Sequence, residues 1–132
     1  MRTFLLVTDS VHTSAALCDY LDSRLTVDDR VVALGLVGTE AAATPEDRRD
    51  RRDALNAVAV RLAGCATVDT DLVAVDTDRP ATLRTECVDR GVDELVCAVA
   101  SSDRADTTLA AAVDTDFLTD LPCPVVLVAS VG

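Results

Sequence analysis

Five short runs made mostly of Val, Leu and Ala recur along the chain: "TFLLVTD" at 3 to 9, "RVVALGLVG" at 30 to 38, "LVAVD" at 72 to 76, "DELVCAVAS" at 93 to 101 and "PVVLVASV" at 124 to 131. Continuous apolar runs of strand length mark strands buried on both faces of a parallel sheet. Parallel strands need long crossovers, and the segments between the runs read as helices. "SVHTSAALCDYLDSRL" puts Leu17, Cys18, Leu21 and Leu25 on one helical face. "TPEDRRDRRDALNAVAVRLAG" opens with Thr44 as N-cap, Pro45 at the first helical position, and Glu46 and Asp47 at the positive end of the dipole. Leu55, Val58 and Leu62 form its apolar stripe, and Gly64 is placed to cap its end. "PATLRTECVDRG" is opened by Pro80 and closed by Gly91, and "DTDFLTDL" is a short helix stopped by Pro122.

The alternation βαβαβαβαβ predicts one α/β domain over residues 1 to 132, a five-stranded parallel sheet with helices on both faces and right-handed crossovers. Hydrophobic residues are 49% of the chain and aromatics only 2%, so the core is built from small aliphatic side chains. A sheet of this kind binds ligands outside the carboxyl ends of its strands, where strand order reverses. Val7, Asp9 and Ser10 at the end of the first strand, with the loop after the fourth, are the candidate lining.

Charge narrows the choice of partner. The 132 residues hold 23 acidic against 12 basic side chains, a formal net charge of -11, and every basic residue is Arg. Such a surface repels phosphate backbones and argues against nucleic acid. Its physical setting is a salt-rich cytosol, where a Debye length of about 3 Å at 1 M quiets repulsion between carboxylates. Cys18, Cys65, Cys87, Cys97 and Cys123 form no CxxC pair or metal-ligand spacing and read as small buried hydrophobes. No metal site is expected. The apolar run in "MRTFLLVTDS" is too brief for a signal h-region, and no stretch approaches the ~20 apolar residues of a membrane span. A cytoplasmic location without membrane contact is the expectation.

"FLLVTDS…SAAL", "PATLRTECVDRGVDELVCA" and "LPCPVVLV" together resemble the universal stress protein family over essentially the whole chain. The resemblance implies a Rossmann-like, adenine nucleotide alpha hydrolase-like sheet of strand order 3-2-1-4-5. It also implies a homodimer joined through the last strand, at Val125, Val126, Leu127 and Val128. That strand bears no charge along its edge, which independently calls for a cover. Members that bind ATP carry Gly, two residues, Gly, nine residues, Gly, then Ser or Thr. These places fall here on Ala98, Ser101, Ala111 and Ala112, and none matches. The acidic residue after strand one is present as Asp9, and Leu36 or Val37 stands where an apolar residue would meet adenine.

Physical chemistry points the same way. A Cβ at Ala98 or Ala111 stands in the path by which backbone N–H groups approach phosphate. Asp103, Asp106, Asp114 and Asp116 face only Arg104 across residues 98 to 116. Each close carboxylate–phosphate contact costs about 1 kcal/mol in bulk water and about 4 kcal/mol at an effective dielectric near 20. The expectation is a non-enzymatic stress-response module without cofactor, acting through protein contacts, with a degenerate nucleotide site. The alternative retains adenine nucleotide, with or without Mg²⁺ and slow hydrolysis, through Asp9, Leu36 or Val37 and backbone N–H groups near Ser101 and Val113. A receiver domain, superficially matched by Asp9, Asp76 and Ser101, lacks the Lys that chemistry wants.

Several residues carry two readings. Asp9 serves a ligand or caps the first helix. Ser101 and Ser102 bind a phosphate or ribose, or satisfy their own turn. His12 is a general base or, without catalytic neighbours in a motif, a solvent residue. "RRDRR" at 48 to 52 is a basic patch or a salt-bridged solvent face.

Overall fold

A computed structural model describes residues 1–38, 44–75, 79–100 and 121–130. The strands are β1 (Thr3–Thr8), β2 (Arg30–Gly38), β3 (Thr67–Val75), β4 (Glu94–Ala100) and β5 (Val125–Ser130). The helices are α1 (Val11–Leu21), α2 (Pro45–Leu62) and α3 (Arg79–Asp89). All four strand pairings are parallel and the order is β3-β2-β1-β4-β5, as expected. The expected helix at "DTDFLTDL" lies outside the described residues, apart from Leu121.

Alternation along β1 divides the core in two. Phe4 and Leu6 face α1 and α2, packing with Leu17, Cys18, Leu21, Leu55, Val58 and Leu62. Leu5 and Val7 face α3, packing with Leu83, Cys87, Leu95 and Cys97. A strand apolar at every position is what two covered faces require, so "FLLV" reads directly as the sheet centre.

Helix boundaries follow local chemistry. Thr44 Oγ1 accepts from the Asp47 N–H at 3.0 Å while the Asp47 carboxylate accepts from the Thr44 N–H at 3.3 Å, a reciprocal cap. Gly91, with φ of +60°, ends α3 in the left-handed region that glycine enters without a Cβ penalty. Gly64 is different: Ala63 is the C-cap, in the right-handed region, and the left-handed glycine among the described residues is Gly91. α1 stops at Leu21 rather than running to Leu25, and the Arg24 N–H then reaches three residues back to the Leu21 carbonyl, a tighter turn than the α-helix. β3 begins at Thr67, five residues before the apolar run that announces it.

The amino end of the sheet is pinned by carboxylates. Buried Asp29 accepts from the Arg2 N–H at 3.1 Å, the Thr26 N–H at 3.0 Å and the Arg2 guanidinium at 3.3 Å. Asp93 accepts from the Thr3 N–H at 2.7 Å. These contacts hold β1 in register at one end and leave its other end to the site.

Candidate functional site

The carboxyl ends of β1 and β2 carry the described half of the crevice. Ser10 is the N-cap of α1, its Oγ accepting from the Thr13 N–H at 3.1 Å. Half-buried Asp9 stands one residue before it, and its Oδ1 accepts from the Thr13 hydroxyl at 2.9 Å. Asp9 is therefore not the cap itself but braces the cap through Thr13. Its second carboxylate oxygen takes no hydrogen bond from a described residue. Behind it, the Thr8 and Ser14 hydroxyls lie 2.7 Å apart and the Ser14 hydroxyl donates to the Ala54 carbonyl at 2.7 Å. With that proton committed, Thr8 is left to donate, and the chain of hydroxyls joins β1, α1 and α2.

Arg51 completes this end of the sheet. From α2 its Nη1 donates to the Asp9 carbonyl at 2.8 Å and its Nε to the Leu36 carbonyl at 3.0 Å, a fork across the ends of β1 and β2. Glycine at position 35 allows the approach. A Cβ there would lie 3.0 Å from Leu72 Cδ2 and 3.2 Å from Arg51 Cβ, so α2 sits closer than a larger residue would permit. A run of arginines in sequence does not announce which one turns inward, and neither Arg51 nor the Thr8–Ser14 pair stands out in the primary structure.

The remaining arginines correct the salt-bridged reading of "RRDRR". Arg48, Arg49 and Arg52 are exposed and form no ion pair with another described residue. For Arg48 and Arg52 the reason is spacing, since three and four residues away they meet only Thr44, Pro45, Leu55, Asn56 and other arginines; Arg49 has Glu46 and Asp53 at those spacings and pairs with neither. With Pro45 the three arginines line an open groove of about 390 Å³ on the solvent face of α2.

Other candidate side chains divide between core and crevice. Val7, Leu36 and Val37 are buried, and Val7 and Leu36 pack into the α3-side core, so what they offer outward is backbone. Ala98 lies within β4, paired with Val128 and buried on the α1–α2 side. Ser101, Ser102, Arg104, Ala111, Ala112 and Val113 lie outside the described residues, as does Asp76. His12 is exposed in the first turn of α1. No group of His, Cys, Asp and Glu among the described residues is arranged to hold a metal ion, and none of the described helices is long and apolar enough to cross a membrane.

No protein-family model and no curated relative matches the sequence. Solved structures do match. A universal stress protein from Archaeoglobus fulgidus superposes with a TM-score of 0.69 at 12% identity, covering 97% of this chain and 93% of that one. The same protein in complex with dAMP gives 0.67 at 12% identity over 97% and 98%. A universal stress protein family protein from Arabidopsis thaliana with AMP bound gives 0.66 at 14% identity over 100% and 94%. Strand order, parallel pairing and near-complete mutual coverage agree: the chain has the universal stress protein fold.

Proposed function

We propose that the protein is a non-enzymatic regulatory module of the universal stress type, a homodimer through β5 that acts by protein contacts and does not hold ATP. The observation that carries this reading is the inward commitment of the crevice. The Asp9 and Leu36 carbonyls accept from Arg51, and the Asp9 carboxylate accepts from Thr13, so polar groups on the β1–β2 wall already have partners in the protein. In the sequence the places of the binders' glycines fall on Ala98, Ser101 and Ala111, and the four aspartates Asp103, Asp106, Asp114 and Asp116 among residues 98 to 116 disfavour a triphosphate. Retained catalysis would need a general base or charge partner, and the sequence supplies neither in a recognisable constellation.

A second reading is supported by the neighbours solved with AMP and dAMP and by the Asp9 carboxylate oxygen that takes no hydrogen bond from a described residue. It keeps a nucleoside monophosphate, whose smaller charge suffers less repulsion. Purification at high salt followed by denaturation and assay for released adenine nucleotide tests both readings, with calorimetric titration of Mg-ATP and AMP. Neither ligand is expected to be released or to bind. Stoichiometric ATP overturns the proposal, and AMP binding without ATP moves it to the second reading.

A further inference from the structure

Three of the five cysteines converge on the α3 side of the sheet. Cys87 on α3 and Cys97 on β4 are 1% and 0% exposed within the apolar cluster of Leu83, Val92 and Leu95, and half-buried Cys123 packs against that cluster just before β5. Cys123 packs against the same apolar cluster that holds Cys87, near enough for the Cys87 thiol to act as donor toward Cys123 Sγ. Cys123 also lies against the Leu95 N–H, and its neighbour Pro124 accepts from that N–H at 3.0 Å. Flanking Pro122 and Pro124 narrow the backbone freedom at this position. Cys18 and Cys65 belong elsewhere: Cys18 packs with α1 and α2, and Cys65 follows α2.

We propose that Cys87 and Cys123 are a modification site, a thiol pair that closes to an intrachain disulfide by exchange with a low-molecular-weight disulfide. Half-buried Cys123 is the entry point. Its thiolate attacks one sulfur of RS–SR, forming a mixed disulfide and releasing RS⁻. Cys87 then loses its proton to solvent and attacks Cys123 Sγ, and the second RS⁻ leaves. Two protein thiols are oxidised, one external disulfide is reduced to two thiols, and the two protons lost from the protein balance the two thiolates released. The new bond brings the sulfurs to about 2.05 Å.

The electrostatics decide which thiol leads. Burial pushes Cys87 and Cys97 each up to about 12. Burial raises Cys123 as well, but hydrogen bonds from Cys87 and the Leu95 N–H pull it back. The bond would bracket residues 88 to 122, enclosing β4 and the segment that bears the candidate phosphate loop. The inference is independent of the nucleotide reading.

Folded protein is incubated with glutathione disulfide between pH 7 and 8.5, alkylated under denaturing conditions, digested with trypsin and mapped without reduction. Cleavage at arginine places Cys87 in peptide 85 to 90, Cys97 in 91 to 104 and Cys123 in 105 to 132, so each pairing is distinguishable. The expected product links 85 to 90 with 105 to 132, leaves three of the five thiols alkylatable, and forms about tenfold faster per pH unit. Cys87→Ser should instead trap glutathione on Cys123, and Cys97→Ser should still form the link. A link through peptide 91 to 104 overturns the proposal, as do five alkylatable thiols in folded wild type at the end of the incubation.

Discussion

Single side chains at opposite ends of the sheet do opposite kinds of work. At the amino end, Asp29 is buried and its carboxyl is held below the usual carboxylate range. The Thr26 N–H is the main cause; burial works against it, and the Arg2 N–H and guanidinium add to the lowering. A carboxyl with a depressed folded pKa contributes stability that is present above its unfolded value of about 3.9 and lost as pH falls through the folded value. Asp29→Asn should therefore destabilise the protein at pH 7 and flatten the acid limb of its stability. Urea titrations at pH 7, 4 and 3 read this directly, and an unchanged acid limb would show that Asp29 is not the group titrating.

At the carboxyl end the equivalent work falls to Arg51. Arg51→Leu keeps the stem but leaves the Asp9 and Leu36 carbonyls without their donor, which should cost about 1 to 3 kcal/mol. Arg51→Lys should recover only part, because an ammonium cannot reproduce a planar fork to two carbonyls. Chemical denaturation of the three proteins ranks them, and a lysine variant as stable as wild type would reduce the fork to a single contact.

At the scale of elements, legibility followed burial. β1, β2 and β4 are covered on both faces, so their apolar runs stand out and their boundaries came close to the observed ones. β3 is an edge strand, and its first half, "TVDTD", is polar at every position but Val68. Asp69 and Asp71 there pair with Arg30 and Arg90 at 2.8 and 3.0 Å, contacts that draw partners 39 and 19 residues away and leave no local trace. The site was legible as a place, at Asp9 and Ser10, because topology dictates it. Its chemistry was hidden, because Arg51 reaches Asp9 across 42 residues. Gly35 was equally silent, a glycine inside a strand whose reason is the close approach of α2. Gly35→Val should overpack that contact and cost about 1 to 3 kcal/mol, with Gly35→Ala milder because the Leu72 methyl can swing aside. Thermal unfolding by circular dichroism checks the order, and a neutral Gly35→Val would mean that α2 is free to shift.

The whole molecule presents two unlike edges and one strong charge. β3 guards its edge with aspartates, whereas β5 carries "VVLVAS" with Leu127 at 47% exposure and no charge to repel a neighbour. A net charge of -11 opposes self-association at low ionic strength, since two copies repel across any shared interface. Edge and charge together make assembly and stability functions of salt. Raising salt from 0.1 M to 1 M shortens the Debye length from about 10 Å to about 3 Å, so both the melting temperature and the dimer fraction should rise. Leu127→Lys places a cation on the open edge, a substitution natural sheets use to block strand pairing. Light scattering at 1 M salt should find wild type at twice the chain mass and Leu127→Lys at the chain mass, with the variant still folded. A wild type that stays monomeric at that salt removes β5 as the interface, and a variant that still dimerises moves the interface to another surface.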